Sequence, residues 1–134
     1  FKQKTAYEIY QCDWSSDVCS SDLSTAADLR VLLELLLGHG VYQGRSYFSE
    51  RVVELFLRPG AHLGWIEPEG FPRGSFAHTG FTGTYVLGVP SAKLAFVLLT
   101  NRQNVGTNVA GYFTDVAPLQ TAAAHAILDT LPAK

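Results

Sequence analysis

The sequence predicts an α+β fold in which an antiparallel sheet packs against a C-terminal helix. Three observations support this: two helix-like segments come first, three strand-like runs follow, and an apolar segment with helical period closes the chain. The chain has 134 residues, enough for at most one ordinary domain. Its 47% hydrophobic and 16% charged residues are typical of a chain with a packed core.

The first predicted helix is STAADLRVLLELLLGHG. Thr25 and Asp28 have the spacing of a capping box, with Ser24 as an alternative cap. Gly38 or Gly40 supplies a left-handed stop. We expect other elements to cover this helix on more than one side, because its apolar face is wide. That face consists of Leu29, Leu32, Leu33, Leu36 and Leu37.

A second, shorter helix is predicted after a connector. GVYQGRSYFS has the turn glycines of a connector, and the helix then begins at the cap Ser49 and ends at Pro59 and Gly60. Its predicted buried face consists of Val52, Val53, Phe56 and Leu57.

The middle of the chain changes to strand-like patterns. A candidate strand covers residues 63–66, and a loop rich in Pro and Gly follows to Gly74. SFAHTG, GTYVLGVP and KLAFVLLTNR are three strand-like runs, with a turn at residues 90–93 between the last two. Because AFVLL is continuously apolar, we expect that strand to be covered on both faces. A loop at residues 103–114 precedes the final helix, APLQTAAAHAILDTL, which has Pro118 in its first turn.

Several function classes have no support in the sequence. A formal net charge of −2 offers no basic surface for nucleic acid, and no apolar run approaches the length of a membrane helix. Motifs for metal-dependent proteolysis, phosphate cradling and a nucleophile elbow are missing. His39, His62 and His125 lie apart and are interpreted as ordinary surface or helix-end residues.

FAHTGFTGTYVLGVP is the segment with candidate chemistry. One interpretation is a tight turn between strands, where the glycines supply positive φ. The other is a catalytic strand edge, with His78 as a polar group in a cleft and Gly80 allowing close backbone approach to a ligand. In that case the Phe81 N–H is free to bind an oxyanion.

Residues 24–134 resemble the C-terminal part of the serine β-lactamase and penicillin-binding superfamily, closest to the class C-like esterases, D,D-peptidases and β-lactamase-related hydrolases. The most specific part is HTGFTGTYVLGVPSAKLAFVLLTNR, which is similar to the family's third motif (Lys-Thr-Gly or His-Thr-Gly) and its two following strands. STAADLRVLLELLLGHGVYQGRSYFS and TAAAHAILDTL resemble two further family segments. The resemblance implies the C-terminal part of a β-lactamase-like fold.

The resemblance also implies a mechanism, acyl transfer to a serine without a cofactor or metal. His78 then takes the third-motif position, Thr79 and Gly80 form the substrate-facing strand edge, and the Phe81 N–H is one of two oxyanion donors. The implied substrate of the intact parent is a small acyl compound: an ester, a β-lactam or a D-Ala peptide. His in place of Lys leaves esterase or peptidase activity at least as well supported as β-lactamase activity. Localisation stays open, with a periplasmic or secreted site compatible with a bacterial parent.

Two motifs of that family have no counterpart in this sequence. No serine is followed by Lys at the third position, and no tyrosine is followed by Asn at the second. We therefore expect a fragment of a serine hydrolase that is inactive alone. Two alternatives stay open: a stand-alone, non-catalytic α+β binding module, and a chain whose missing half is supplied by a partner.

Residues 1–23 differ from the rest in composition. They hold both cysteines, lack helical or strand period, and lack the apolar core of a signal peptide. A stapled Cys12–Cys19 loop is one interpretation. The other is an artefact, because KQKTAYEI and DWSSDVCSSDL resemble two translated segments of a common sequencing adapter, in the right order and with room for a sample index between them. We therefore expect the hydrolase-like sequence to begin at Ser24.

Overall fold

The computed structural model describes residues 24–60 and 63–131, and its elements confirm the α+β class. Residues 1–23, with their disulfide and adapter interpretations, lie outside the described residues, as does His62. The helices and strands are α1 Ala26–Leu37, β1 Val41–Tyr42, β2 Arg45–Ser46, α2 Glu50–Leu57, β3 Phe76–Thr79, β4 Tyr85–Val89, β5 Leu94–Leu98 and α3 Ala117–Leu128.

Three strands form the central sheet, in the order β3-β4-β5, and both neighbouring pairs are antiparallel. This confirms the three predicted runs. The β4–β5 connection is a 3₁₀ turn at Pro90–Ala92, closed by Lys93 in the left-handed conformation, where the sequence predicted a turn. Across the β3–β4 pair, His78 lies opposite Val86 and Thr79 lies opposite Tyr85.

Each face of the sheet has its own hydrophobic core. Side chains alternate along a strand, so neighbouring residues of β5 contribute to different cores. Phe96 packs with Leu87 and Ala124 of α3, whereas Val97 packs with Leu33 of α1. The predicted cover of β5 on both faces and the predicted packing of the C-terminal helix on the sheet are therefore confirmed.

Tyr85 lies within the core on the α3 side. Its side chain is 5% exposed, and its ring meets the Phe96 ring edge-on at 6.2 Å between centroids. Burial raises the pKa of the Tyr85 hydroxyl, because the charged phenolate is poorly solvated in this position.

The core on the α1 side depends on a glycine in β4. Gly88 is paired with Phe76 of β3, and the Phe76 ring lies across the glycine. A Cβ atom added at Gly88 would come to 2.6 Å from Phe76 Cε1 and 2.7 Å from Cε2. Phe76 is itself 2% exposed and meets Trp65 edge-on at 5.1 Å, so its ring has little room to move.

Helix α1 begins as the capping pattern predicted. The Thr25 hydroxyl accepts a hydrogen bond from the Asp28 N–H at 3.2 Å and donates one to the Asp28 carboxylate at 2.8 Å. At the other end Gly40, with φ 89°, takes the left-handed conformation, while Gly38 has φ −86°. The apolar face is narrower than predicted, since Leu33 and Leu36 are buried but Leu32 is 42% exposed.

The predicted connector contains a small hairpin. Strands β1 and β2 pair across Gln43 and Gly44, which both have positive φ, as a two-residue turn of this kind requires. Helix α2 follows from Ser49 and ends before Pro59, as predicted. Its predicted buried face is wrong at Val52 and Phe56, which are exposed, because α2 meets the core along one edge only, through Val53 and Leu57.

The predicted strand at residues 63–66 is wrong. Only Ile66 pairs, in an isolated bridge with Ala77 on the outer side of β3. Gly64, with φ 92°, leaves the extended conformation two residues earlier, and Pro68 has no N–H to continue the ladder. No helix in the described ranges is long and apolar enough to cross a membrane.

Candidate functional site

The HTGFTGT segment forms the end of β3, a turn and the start of β4. The Gly83 N–H donates to the Gly80 carbonyl at 2.9 Å, and the Gly80 N–H donates to the Thr84 carbonyl at 2.8 Å. Gly83 has φ 96°. This is a three-residue hairpin loop whose last residue is a left-handed glycine. The tight-turn interpretation is thus confirmed, and it places Phe81 two residues after the end of β3.

Both glycines of the turn are needed for space. A Cβ atom at Gly80 would collide with the Thr84 hydroxyl. One at Gly83 would lie 2.6 Å from Thr100 Oγ1 and 2.9 Å from Val116 Cγ2. Within the described residues, Thr84 therefore occupies the space beside Gly80, and Gly83 brings the turn against the C-terminal segment.

The Gly83 carbonyl joins the turn to two distant parts of the chain. It accepts one hydrogen bond from the Thr100 hydroxyl at 2.5 Å and another from the Gln120 side-chain amide at 2.8 Å. Gln120 is 5% exposed, so this bond satisfies a buried polar group of α3. The turn is consequently fixed from the segment after β5 and from α3 together.

The outer edge of β3 is open next to this turn. Because the Gly80 N–H points toward β4, the alternation of an antiparallel ladder directs the Thr79 N–H away from β4. Ala77, on that same outer side, exchanges two hydrogen bonds of 2.9 Å with Ile66. Neither the Thr79 N–H nor the Phe81 N–H has an acceptor among residues 24–60 and 63–131.

Arg102 contacts the turn in three ways. Its backbone N–H donates to the Thr82 carbonyl at 2.9 Å, and its Nε donates to the Phe81 carbonyl at 2.6 Å. Its guanidinium carbon lies 4.9 Å from the centre of the Phe81 ring and 5.8 Å from that of Phe113. The two rings meet edge-on at 5.6 Å.

A cavity of about 250 Å³ lies beside the turn. Three predicted site residues line it: Thr79, Gly80 and Phe81. They share it with Arg102, Asp115 and Gln120, among others. Among the described residues, no group of three or more His, Cys, Asp or Glu side chains could hold a metal ion.

His78 lies on the opposite face of the sheet from Thr79, as strand alternation requires. Its ring is 6.4 Å from the Trp65 ring, and its Nδ1 atom is 2.6 Å from the Gly64 carbonyl oxygen. A carbonyl only accepts hydrogen bonds, so Nδ1 carries a proton in this contact. His78 is exposed and is not among the residues that line the cavity.

Three residues next to the predicted site residues were not predicted from the sequence: Trp65, Arg102 and Gln120. One signal was available for Gln120, which lies four residues before the buried Ala124 and so on the buried face of a helix. For Trp65 and Arg102 no local pattern was available, because their partners are 11 to 21 residues away along the chain.

A family profile described as Beta-lactamase matches residues 14–117, which is more than half of the chain. The chain belongs to the beta-lactamase family. This confirms the family resemblance of the third-motif block. The match covers β3, the turn and β4, and it begins inside the segment that resembles adapter sequence.

One relative of this beta-lactamase-family chain is the N-acetylmuramyl-L-alanine amidase of Bacillus subtilis (strain 168). The two are 33% identical over 96 residues, which cover 60% of this chain and 22% of that amidase. The chain therefore spans about a fifth of the length of this curated relative. No solved structure matches the chain significantly. Membership of a hydrolase family is supported by both the profile and the relative.

Proposed function

We propose that residues 24–134 supply one wall of the acyl-transfer site of a serine hydrolase. The observation that supports this is the Phe81 N–H, which has no acceptor in the described part of the chain and follows an open strand edge in a rigid turn. Preorganised N–H groups of this kind stabilise the oxyanion of a tetrahedral intermediate. The substrate class is an ester, a β-lactam or a D-Ala peptide.

Each residue of the wall has a proposed role. The Thr79 N–H on the open edge holds the substrate as an added strand would be held, and Gly80 continues that backbone edge into the turn. His78 is proposed to assist the acyl transfer from the face of the sheet opposite to Thr79. With Nδ1 donating to Gly64, its Nε2 atom is the nitrogen left to hold or exchange a proton near the nucleophile.

The nucleophile itself is proposed to come from hydrolase sequence that this chain does not contain. No S-x-x-K and no Y-x-N motif is present in the sequence. We accordingly propose that residues 1–23 are adapter-derived, that residues 24–134 are the hydrolase-derived unit, and that this chain has no turnover alone. Removing the nucleophile abolishes formation of the acyl-enzyme, whatever the state of the oxyanion hole.

Two measurements test the proposal. Incubation with a fluorescent penicillin or a fluorophosphonate is expected to leave the chain unlabelled, and covalent labelling would overturn the inactivity. NMR titration with a D-Ala-D-Ala peptide or a short-chain ester is expected to shift the Thr79, Gly80 and Phe81 amides. Shifts confined to other residues would show that this edge is not the substrate wall.

The second candidate function is the non-catalytic binding module. It is favoured by the separate core on each face of the sheet, since a chain with both faces covered can fold alone. This candidate also accounts for the missing nucleophile motifs. The two candidates differ in whether the exposed apolar surface needs a partner.

A further inference from the structure

We infer that Arg102 is the positioning residue for Phe81: its Nε hydrogen bond holds the Phe81–Thr82 peptide and its guanidinium holds the Phe81 ring. Together these contacts fix the backbone of Phe81, and with it the Phe81 N–H, which lies in the preceding Gly80–Phe81 peptide. The inference rests on the proposed function, in which that N–H is an oxyanion donor. Nothing in the third motif itself identifies Arg102, which follows β5 and lies 21 residues away from Phe81.

The contacts hold both sides of the Phe81 residue. On the backbone, Arg102 bonds to the carbonyls of Phe81 and Thr82, at 2.6 and 2.9 Å. On the side chain, the guanidinium lies over the Phe81 ring. Phe81 is 54% exposed, so core packing does not hold its ring. An exposed residue in a loop needs contacts of this kind to keep one conformation.

The chemistry of an oxyanion donor makes this fixation useful. The donor must already point to the site where charge develops, because reorientation during the reaction would cancel part of the stabilisation. Arginine suits the position because its planar guanidinium can donate a hydrogen bond from Nε while stacking on an aromatic ring. Its second ring partner, Phe113, holds the guanidinium from another direction.

Two variants of equal charge separate the hydrogen bond from the positive charge. Arg102→Gln keeps an N–H donor at the chain position of Nε, and Arg102→Met keeps the length without a donor. The measurement is the NMR order parameter of the Phe81 amide in the full 134-residue chain. We expect it to stay at about 0.85 in wild type and Arg102→Gln. In Arg102→Met we expect it to fall to about 0.6. Equal values in the two variants, whether high or low, overturn the inference.

A matched control lies on the small hairpin. Arg45 stacks on Tyr47 at 5.1 Å, much as Arg102 stacks on Phe81, but it belongs to the β1–β2 hairpin and not to the central sheet. Arg45→Met is expected to leave the Phe81 order parameter unchanged. Should Arg102→Met fail to fold, the through-hydrogen-bond coupling between Arg102 Nε and the Phe81 carbonyl carbon in wild type decides the question, and its absence overturns the inference.

Titration with methylphosphonate, a tetrahedral oxyanion, distinguishes the inference from the proposed function. We expect methylphosphonate to shift the Phe81 amide resonance in wild type. Its binding should be several-fold weaker in Arg102→Met than in Arg102→Gln. One outcome is that methylphosphonate does not shift the Phe81 amide in wild type, while the Phe81 order parameter still falls in Arg102→Met. In that case the oxyanion role fails and the positioning by Arg102 stands. If methylphosphonate shifts the Phe81 amide in wild type but binds equally to both variants, the positioning fails.

Discussion

At the residue scale, the Phe76 ring occupies the space that any side chain on Gly88 would need. We expect Gly88→Ala to destabilise the chain by about 1–3 kcal/mol, the range for overpacking a core. Urea denaturation measures the loss. The same substitution in a Phe76→Leu background should cost less, because the smaller side chain yields space; equal costs in both backgrounds would contradict the steric explanation.

Tyr85 gives the chain a predicted loss of stability in alkali. Burial raises the pKa of the folded-state hydroxyl above its ordinary value near 10, so the unfolded state loses its proton first as pH rises. The free energy of unfolding contributed by this group is therefore fully present below pH ~10 and decreases above it. Tyr85→Phe removes this titration. Denaturation curves of wild type and Tyr85→Phe should diverge above that pH in favour of the variant, and parallel pH profiles would contradict the prediction.

Among single residues, the candidates that stand together in one segment could be singled out from the sequence. The third-motif residues His78, Thr79, Gly80 and Phe81 stand together in one segment. Arg102 and Gln120 act through bonds that span 21 and 37 residues, and only the folded chain shows them.

At the scale of elements, the two helix caps differ in strength although both have the right residue type. Thr25 makes a side-chain bond to the first turn of α1, whereas Ser49 makes none to α2. We expect Thr25→Ala to cost about 1 kcal/mol and Ser49→Ala to cost little. Thermal melts of the two variants provide the comparison, and equal losses would show that the caps contribute alike.

Element types followed from local patterns, but burial did not. The apolar period correctly placed α1, α2, α3 and the three sheet strands. The same period predicted Val52 and Phe56 to be buried in α2, which the structure contradicts. Helical period says which residues share a face, while burial depends on how much of that face another element covers. At residues 63–66 the element type itself was wrong. A strand was predicted there, but Gly64, with positive φ, ends the extended conformation.

At the scale of the whole molecule, one short segment carries several of the exposed apolar residues in the described part of the chain. Residues 47–56 include five large hydrophobic side chains that are between 41% and 52% exposed: Tyr47, Phe48, Val52, Leu55 and Phe56. Exposed patches of this kind on a domain commonly mark a contact surface or an aggregation-prone region.

We therefore expect the chain to associate in a concentration-dependent way. Size-exclusion chromatography with light scattering over a range of concentrations measures this. Val52→Ser with Phe56→Ser should reduce the association, and Leu119→Ser, an exposed residue on α3, serves as the matched control. A single monomeric peak at all concentrations with a sharp thermal transition would instead favour the stand-alone binding module.

The shared acceptor at Gly83 also gives two distant parts of the chain a common attachment point. The Gln120 side chain of α3 and the Thr100 hydroxyl after β5 both donate hydrogen bonds to that one oxygen atom. A displacement of α3 at Gln120 therefore acts on the hairpin that carries Phe81 as well as on the sheet, against which α3 packs through Ala124.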